Sequence, residues 1–225
     1  SEAVRSPDMF ENNVNWSYRV TGLNPTAYGR PSARYFVKTR GPGDLEQEHM
    51  RSRELGYNGS FTHLGLNLDV KLFHDEITGM ISESLRNNQF IASNSNTARF
   101  QGTETQLDWR LSAADRLRLT YAYVDAEASS PQDQQLTARN SGSAGWLRDW
   151  GSGWNSALFY YGDDALNGYR FERLDSRLAK RITLGKASLE LAGTLQQRLD
   201  NQPNTFADNY YDSRHVLYFS AELVF

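Results

Sequence analysis

The sequence predicts an all-β protein built from antiparallel transmembrane β-barrel strands in up-and-down order. Three observations indicate this fold: an alternating apolar pattern at the C-terminus, recurrence of that pattern along the chain, and connections that alternate between short and long. Only every second residue of a barrel strand faces lipid, so the mean hydropathy of -0.66 is compatible with it. The aromatic content of 12% suits the aromatic girdles of such barrels.

Composition also excludes several classes of protein. No segment approaches the ~18 apolar residues in a row that a membrane-spanning helix needs. The net charge is -3 and the basic residues are scattered, so no surface for nucleic acid is predicted. The chain has no cysteine, which excludes disulfides and thiolate metal sites.

The C-terminal segment, residues 215–225, carries the clearest strand signal. Its length matches the ~9 to 11 residues that a tilted strand needs to cross a bilayer. The odd positions are apolar and we expect them to face lipid: Leu217, Phe219, Ala221, Leu223 and Phe225. We expect the polar side of the strand to face inward: Tyr218, Ser220 and Glu222.

The same period-two pattern predicts nine strands in all, and residues 1–5 are interpreted as the end of a tenth. The nine are residues 54–61, 66–72, 99–109, 117–123, 143–150, 154–161, 174–182, 187–196 and 215–225.

The connections differ in length on the two sides of the predicted sheet. Short turns are predicted at residues 62–65, 110–116, 151–153 and 183–186, and longer loops at 6–49, 82–97, 128–139, 163–173 and 200–214. Outer-membrane barrels have short turns on one side and long loops on the other. Aromatic residues flank the short turns and would mark one membrane interface: Phe61, Trp109, Trp150, Trp154 and Phe225.

Several segments resemble the TonB-dependent outer-membrane receptors. Residues 45–57, LEQEHMRSRELGY, resemble the Leu-x-Pro-Glu…Glu-x-Gly-Tyr stretch that enters a late barrel strand of that family. Gly102-Thr-Glu104 is similar to the family's Gly-x-Glu, residues 3–8 to a strand end before a long loop, and residues 214–225 to the closing strand. Gln47 stands where the family has proline, and residues 197–200 match only loosely the Asn-Leu-Phe-Asp before the last loop.

The resemblance implies what the chain is part of. Plugged transporters have ~22 strands, so residues 1–225 would be the C-terminal part of the barrel, without the plug domain. The implied function is energy-coupled uptake of a scarce nutrient, a ferric siderophore above all, in the bacterial outer membrane. The implied partners are lipid, the N-terminal barrel half and plug of the same parent protein, the TonB system and a small-molecule ligand.

The alternative is a complete small outer-membrane barrel acting as a passive porin, an adhesin or a barrel enzyme. An enzyme would have to use the histidines, such as His74 beside Asp75 or His215 near Asp212, as in an Asp/His hydrolase. Because neither a nucleophile motif nor metal-ligand spacing accompanies them, no enzymatic activity, metal or cofactor is predicted.

Cationic and aromatic residues in the loops are the candidate ligand-binding residues. Together they would suit an anionic, partly planar ligand such as a ferric chelate. The alternative for each residue is an ordinary surface position without contact to a ligand. The candidates are Trp16, Tyr18, Tyr28, Arg30, Tyr169, Arg170 and Phe171.

Overall fold

The computed structural model describes residues 1–21, 34–86, 89–130, 133–135, 137–166, 169–200 and 213–225. The elements are β1 Glu2–Arg5, α1 Met9–Asn13, β2 Asn15–Thr21, β3 Arg34–Arg40, β4 Glu48–Phe61, β5 Leu66–Arg86, β6 Gln89–Arg110, β7 Asp115–Ala128, β8 Asn140–Gly151, β9 Trp154–Leu166, β10 Tyr169–Leu184, β11 Ala187–Arg198 and β12 His215–Val224. No helix in the described part of the chain is long and apolar enough to span a membrane.

The strands pair in the order of the chain. Ten strands form the main path β1-β4-β5-β6-β7-β8-β9-β10-β11-β12, and β2 and β3 lie off it. The predicted all-β fold is therefore confirmed, including the tenth strand at residues 2–5. Sequence-adjacent pairing needs only short connections, which explains why tight turns suffice between most of these strands.

The register of β7 to β12 separates an apolar face from a polar face. In β11 and β12, Leu189 pairs with Leu223, and Glu190 pairs with Glu222. Paired residues share a face of the sheet. The apolar face carries Leu117, Leu119, Trp146, Leu158, Leu178, Ile182, Leu189, Leu191, Leu217 and Leu223. The polar face carries Arg116, Arg118, Ser143, Asn155, Tyr161, Arg173, Asp175, Arg177, Arg181, Glu190 and Glu222.

The apolar face is exposed. Among the described residues, the buried apolar side chains are few and mostly alanines, such as Ala179 and Ala192, whereas Leu178 and Phe219 are more than half exposed. A contiguous exposed apolar surface marks contact with a membrane or another protein. This face therefore has the character expected of a lipid-facing surface.

The predicted short turns are confirmed. Gly151, Ser152 and Gly153 all have positive φ, and Gly153 must be glycine because a methyl group there would overlap the carbonyl oxygen of Arg181. The turn predicted at residues 183–186 is narrower, since β10 continues to Leu184.

The predicted loops at 82–97 and 163–173 are wrong, because β5, β6, β9 and β10 extend through most of these residues. Loop 6–49 is also wrong in part, since it contains α1, β2 and β3. Outside an apolar environment neither face of a strand has to be apolar. A polar strand then lacks the alternation that would distinguish it from a loop.

Contacts divide the chain into two compact units. The first is Ser1–Arg53, His74–Phe100 and Ala126–Leu136, and the second is Glu54–Phe73, Gln101–Asp125 and Thr137–Phe225.

In the first unit, the segment between β1 and β4 is folded onto its neighbours. The side chain of Asp8 caps α1, and Glu11 completes the capping box. β2 and β3 form an antiparallel pair, and Lys38–Arg40 of β3 also pairs in parallel with Gln89–Ile91 of β6. A side chain at Gly41 would overlap the backbone of Asn12, so glycine is required there.

Arg5 joins this segment to the start of β4. Its guanidinium donates to Glu11 on α1, with Nη1 and Oε1 2.9 Å apart, and also forms an ion pair with Glu48. Glu48 accepts a further hydrogen bond from the amide of Ile81. The Arg5 guanidinium, helped by this amide, holds the pKa of Glu48 below its ordinary value.

We expect the attachment of α1 to β4 to weaken in acid. A carboxyl whose pKa is depressed in the folded state contributes stability above its unfolded pKa, about 4.3 for Glu, and loses it as the pH falls through the folded value. A nitroxide on Met9→Cys, a position 84% exposed, should become mobile with a midpoint below about 4.3. In Glu48→Gln it should be mobile at every pH; a midpoint above 4.3, or no effect of the substitution, would contradict the expectation.

Candidate functional site

The polar face of β8 to β10 brings aromatic rings and an arginine together. Arg173 pairs with Tyr161, Asp175 with Phe159, and Phe171 with Asp163. Residues that pair across strands share a face of the sheet, and so do residues two apart on one strand. The rings of Phe159, Tyr161 and Phe171 and the guanidinium of Arg173 therefore lie together on the polar face. We call Phe159, Tyr161, Phe171, Arg173 and Asp175 the aromatic–arginine patch.

Arg173 is the centre of the aromatic–arginine patch. Its Cζ lies 4.9 Å from the ring centroid of Tyr161 and 5.9 Å from that of Phe171. Its Nε lies 2.8 Å from Oδ1 of Asp175. The other carboxylate oxygen, Oδ2, accepts a hydrogen bond from Gln196 at 3.0 Å. The guanidinium is thus fixed by two ring faces and a carboxylate, and is still about one-third exposed, at 35%.

Small residues of β8 make room for the rings. Ser143 pairs with Tyr161, and Gly145 pairs with Phe159. The ring of Phe159 covers Gly145 so closely that a side chain there would displace it. The rings of Phe159 and Tyr161 stack, with centroids 6.0 Å apart. A cavity of about 520 Å³ lies beside them, lined by Ser143, Tyr161 and Phe171 among others.

Ion pairs continue along the same face. Glu190 receives hydrogen bonds from both Arg177 and Arg181, and Arg177 also donates to Asn155 at 3.1 Å. In β5 to β7, Lys71 pairs with Glu104 at 2.9 Å, and Asp108 pairs with Arg116. The polar face therefore carries hydrated charged side chains together with aromatic rings. This combination suits a polar ligand with planar groups.

Three of the seven predicted ligand-binding residues lie on β10, and two of them, Arg170 and Phe171, lie on different faces. Phe171 belongs to the aromatic–arginine patch. Arg170 has the opposite parity, which places it with the apolar face, where it forms an ion pair with Glu172 at 2.9 Å. Tyr169 is the first residue of β10, beside a register shift. Arg170 and Phe171 therefore do not form one cluster, because a strand sends successive side chains to opposite faces.

The other four predicted residues belong to the segment between β1 and β4. Trp16 and Tyr18 lie on β2, where Trp16 pairs with Thr39 and is 56% exposed. Tyr28 and Arg30 lie outside the described residues.

The sequence pattern alone does not predict Arg173, Tyr161 and Phe159 as members of the aromatic–arginine patch. It places Arg173 at the end of the loop 163–173, and the aromatic run at 159–161 in the strand 154–161. The alternation of a strand that starts at Phe171 would place Arg173 on the same face, since residues two apart share a face. Placing Tyr161 and Phe159 beside Arg173 requires the pairing of β9 with β10.

Among the described residues, no group of three or more His, Cys, Asp or Glu side chains could hold a metal ion.

Three solved structures that are similar to this chain are, by name, two siderophore receptors and a copper transporter. The siderophore receptor PirA from Pseudomonas aeruginosa matches with a TM-score of 0.63 and 16% identity, over 100% of this chain and 38% of that one. The siderophore receptor PirA from Acinetobacter baumannii matches with a TM-score of 0.55 and 15% identity, over 86% and 33%. The copper transporter OprC matches with a TM-score of 0.64 and 16% identity, over 99% and 36%. The chain thus spans about a third of the length of each.

Sequence comparison identifies the family. No curated protein sequence is similar to this chain. The family model described as "TonB dependent receptor-like, beta-barrel" matches residues 1–216, nearly the whole chain. The resemblance seen in the sequence and the barrel class of the fold are thereby confirmed, and the chain belongs to the TonB-dependent receptor-like β-barrel family.

Proposed function

We propose that this chain is the C-terminal barrel part of an outer-membrane receptor that imports a ferric siderophore with energy from the TonB system. The observation that carries the proposal is the aromatic–arginine patch, which lies on the polar face of a sheet whose other face is apolar. In a barrel the apolar face meets lipid and the polar face lines the lumen. The patch then lies on the ligand's path.

The chemistry of the aromatic–arginine patch favours an anionic chelate with planar groups. Arg173 offers hydrogen-bond donors and positive charge, and the rings of Tyr161 and Phe171 offer flat apolar surface. The ion pair with Asp175 keeps the guanidinium in position before a ligand arrives. The siderophore receptors among the similar structures agree with this ligand class.

The remaining parts of the receptor would come from the same parent protein. Coverage of about a third of each similar structure supports treating residues 1–225 as one part of a larger barrel. The resemblance of residues 214–225 to the closing strand of the family supports assigning this part to the C-terminal portion. The N-terminal barrel half, the plug domain and the segment that contacts TonB are the partners that this assignment requires.

Uptake of iron-loaded siderophores tests the proposal. Cells that carry the full-length receptor should accumulate radiolabelled iron from at least one anionic siderophore, and should lose this accumulation when TonB is deleted. Uptake that persists without TonB would support a passive porin instead. Preferential uptake of free copper would contradict the siderophore assignment.

A further inference from the structure

Lys180 is a charged residue among uncharged neighbours on the apolar face of β10. Its neighbours on that face of β10 are uncharged, namely Leu174, Ser176, Leu178, Ile182 and Leu184. Across the ladders it pairs with Trp154 of β9 and with Leu191 of β11. A lone ammonium on such a surface is costly unless it reaches an anion or water.

The protein supplies Lys180 with only partial compensation. Its Nζ donates to the carbonyl oxygen of Ser152 at 2.6 Å and lies 5.0 Å from the ring centroid of Trp154. Within the described part of the chain no carboxylate lies within 4 Å of it. An ammonium carries three donors, so two remain for a ligand.

Arg148 is a second cation on the same face, and its charge is neutralised by a carboxylate. Its Cζ lies 4.4 Å from the ring centroid of Trp150, and its Nη1 donates to Asp115 at 3.2 Å. Asp115 also accepts from the indole of Trp146 at 3.0 Å. Arg148 therefore has both a ring and a carboxylate, whereas Lys180 has a ring and a backbone carbonyl oxygen but no described carboxylate. Together, the side chains of Arg148, Asp115 and Lys180 carry one net positive charge.

We propose that Lys180, Trp154 and the turn at residues 151–153 form a binding site for the phosphate of an anionic phospholipid. Trp154 directly follows a short turn, the position of an interfacial aromatic. The phosphate supplies the missing counter-ion, and the acyl chains lie along Leu178 and Leu191. Because continuous apolar surface adjoins the cation, a lipid fits better than free phosphate.

This inference rests on the proposed membrane location, and lipid binding by the full-length receptor tests both. Wild type should float with liposomes of phosphatidylethanolamine and phosphatidylglycerol. In detergent, native mass spectrometry should show that Lys180→Gln lowers the affinity for phosphatidylglycerol about fivefold, corresponding to ~1 kcal/mol for one cation at an anionic lipid surface. Lys180→Arg should retain the affinity, and all variants should bind phosphatidylethanolamine alike.

Arg181→Gln is the matched control, because Arg181 is the next residue on β10 and lies on the polar face beside Glu190. Its affinity for phosphatidylglycerol should equal that of wild type. Equal affinities for wild type and Lys180→Gln, or an equal loss in Arg181→Gln, would overturn the inference and leave the uptake proposal intact. Competition by millimolar inorganic phosphate would also overturn it, since the site would then not be one for lipid. Failure of wild type to float would overturn the membrane location as well.

Discussion

Replacing Gly102 with valine should prevent the receptor from folding. A side chain at this position of β6 would overlap the carbonyl oxygen of Tyr123 in β7 and would lie 3.0 Å from the ring of Phe73. Backbone atoms of a paired strand cannot move away as a flexible side chain can. We expect a destabilisation of about 3 kcal/mol or more, the upper range for overpacking.

The measurement is the fraction of receptor that shows heat-modifiable gel mobility after refolding into lipid, with the urea midpoint of any folded material. Gly56→Ala is the matched control, because the nearest atom to a methyl group there is the carbonyl oxygen of Val70 at 4.0 Å. The control should fold like wild type. A Gly102→Val variant with wild-type stability would show that β6 and β7 are not so closely paired at this point.

Replacing Arg173 with glutamine should reduce the affinity for the ferric ligand at least tenfold. The substitution removes the charge of the aromatic–arginine patch, and one lost hydrogen bond to a charged group costs about 1.5 to 3 kcal/mol. Asp175 keeps its hydrogen bond from Gln196, so we expect the strand pairing to survive. Equilibrium binding of the iron-loaded siderophore by the purified full-length receptor measures the effect.

Arg170→Gln is the control for this prediction. Arg170 is three residues away on β10, but it lies with the apolar face and pairs with Glu172. Its loss should leave the ligand affinity unchanged. Equal losses in the two variants would mean that overall positive charge, rather than the face of the strand, governs binding. An unchanged affinity in Arg173→Gln would remove the patch from the ligand path.

The Gly102-Thr-Glu104 motif can be found in the sequence, but its physical role is seen only in the structure. The sequence identified the motif by resemblance alone. The structure supplies the reasons, since Gly102 leaves room for the backbone of β7, and Glu104 forms an ion pair with Lys71 at 2.9 Å. Neither reason is visible in the sequence, because both partners come from other strands.

The candidate ligand-binding residues show that residue types within one segment do not predict which side chains lie on the same face. Tyr169, Arg170 and Phe171 form a cationic and aromatic run, which suggested one binding cluster in a loop. In a strand, such a run is divided between two faces, so Phe171 shares the polar face with Arg173 whereas Arg170 does not. Residue composition indicated the chemistry of the site, and strand parity decided which residues contribute to it.

The sequence by itself determined the fold class, the order of the strands, the short turns and the alternation of the apolar and polar faces. These are local properties, because a period of two and a glycine-rich turn involve neighbours along the chain. Only the tertiary structure decided how far β5, β6, β9 and β10 extend, that Arg173 meets Tyr161, and that Lys180 has no described carboxylate partner. These features depend on the register between strands, which is fixed by pairing across the sheet rather than by any single segment.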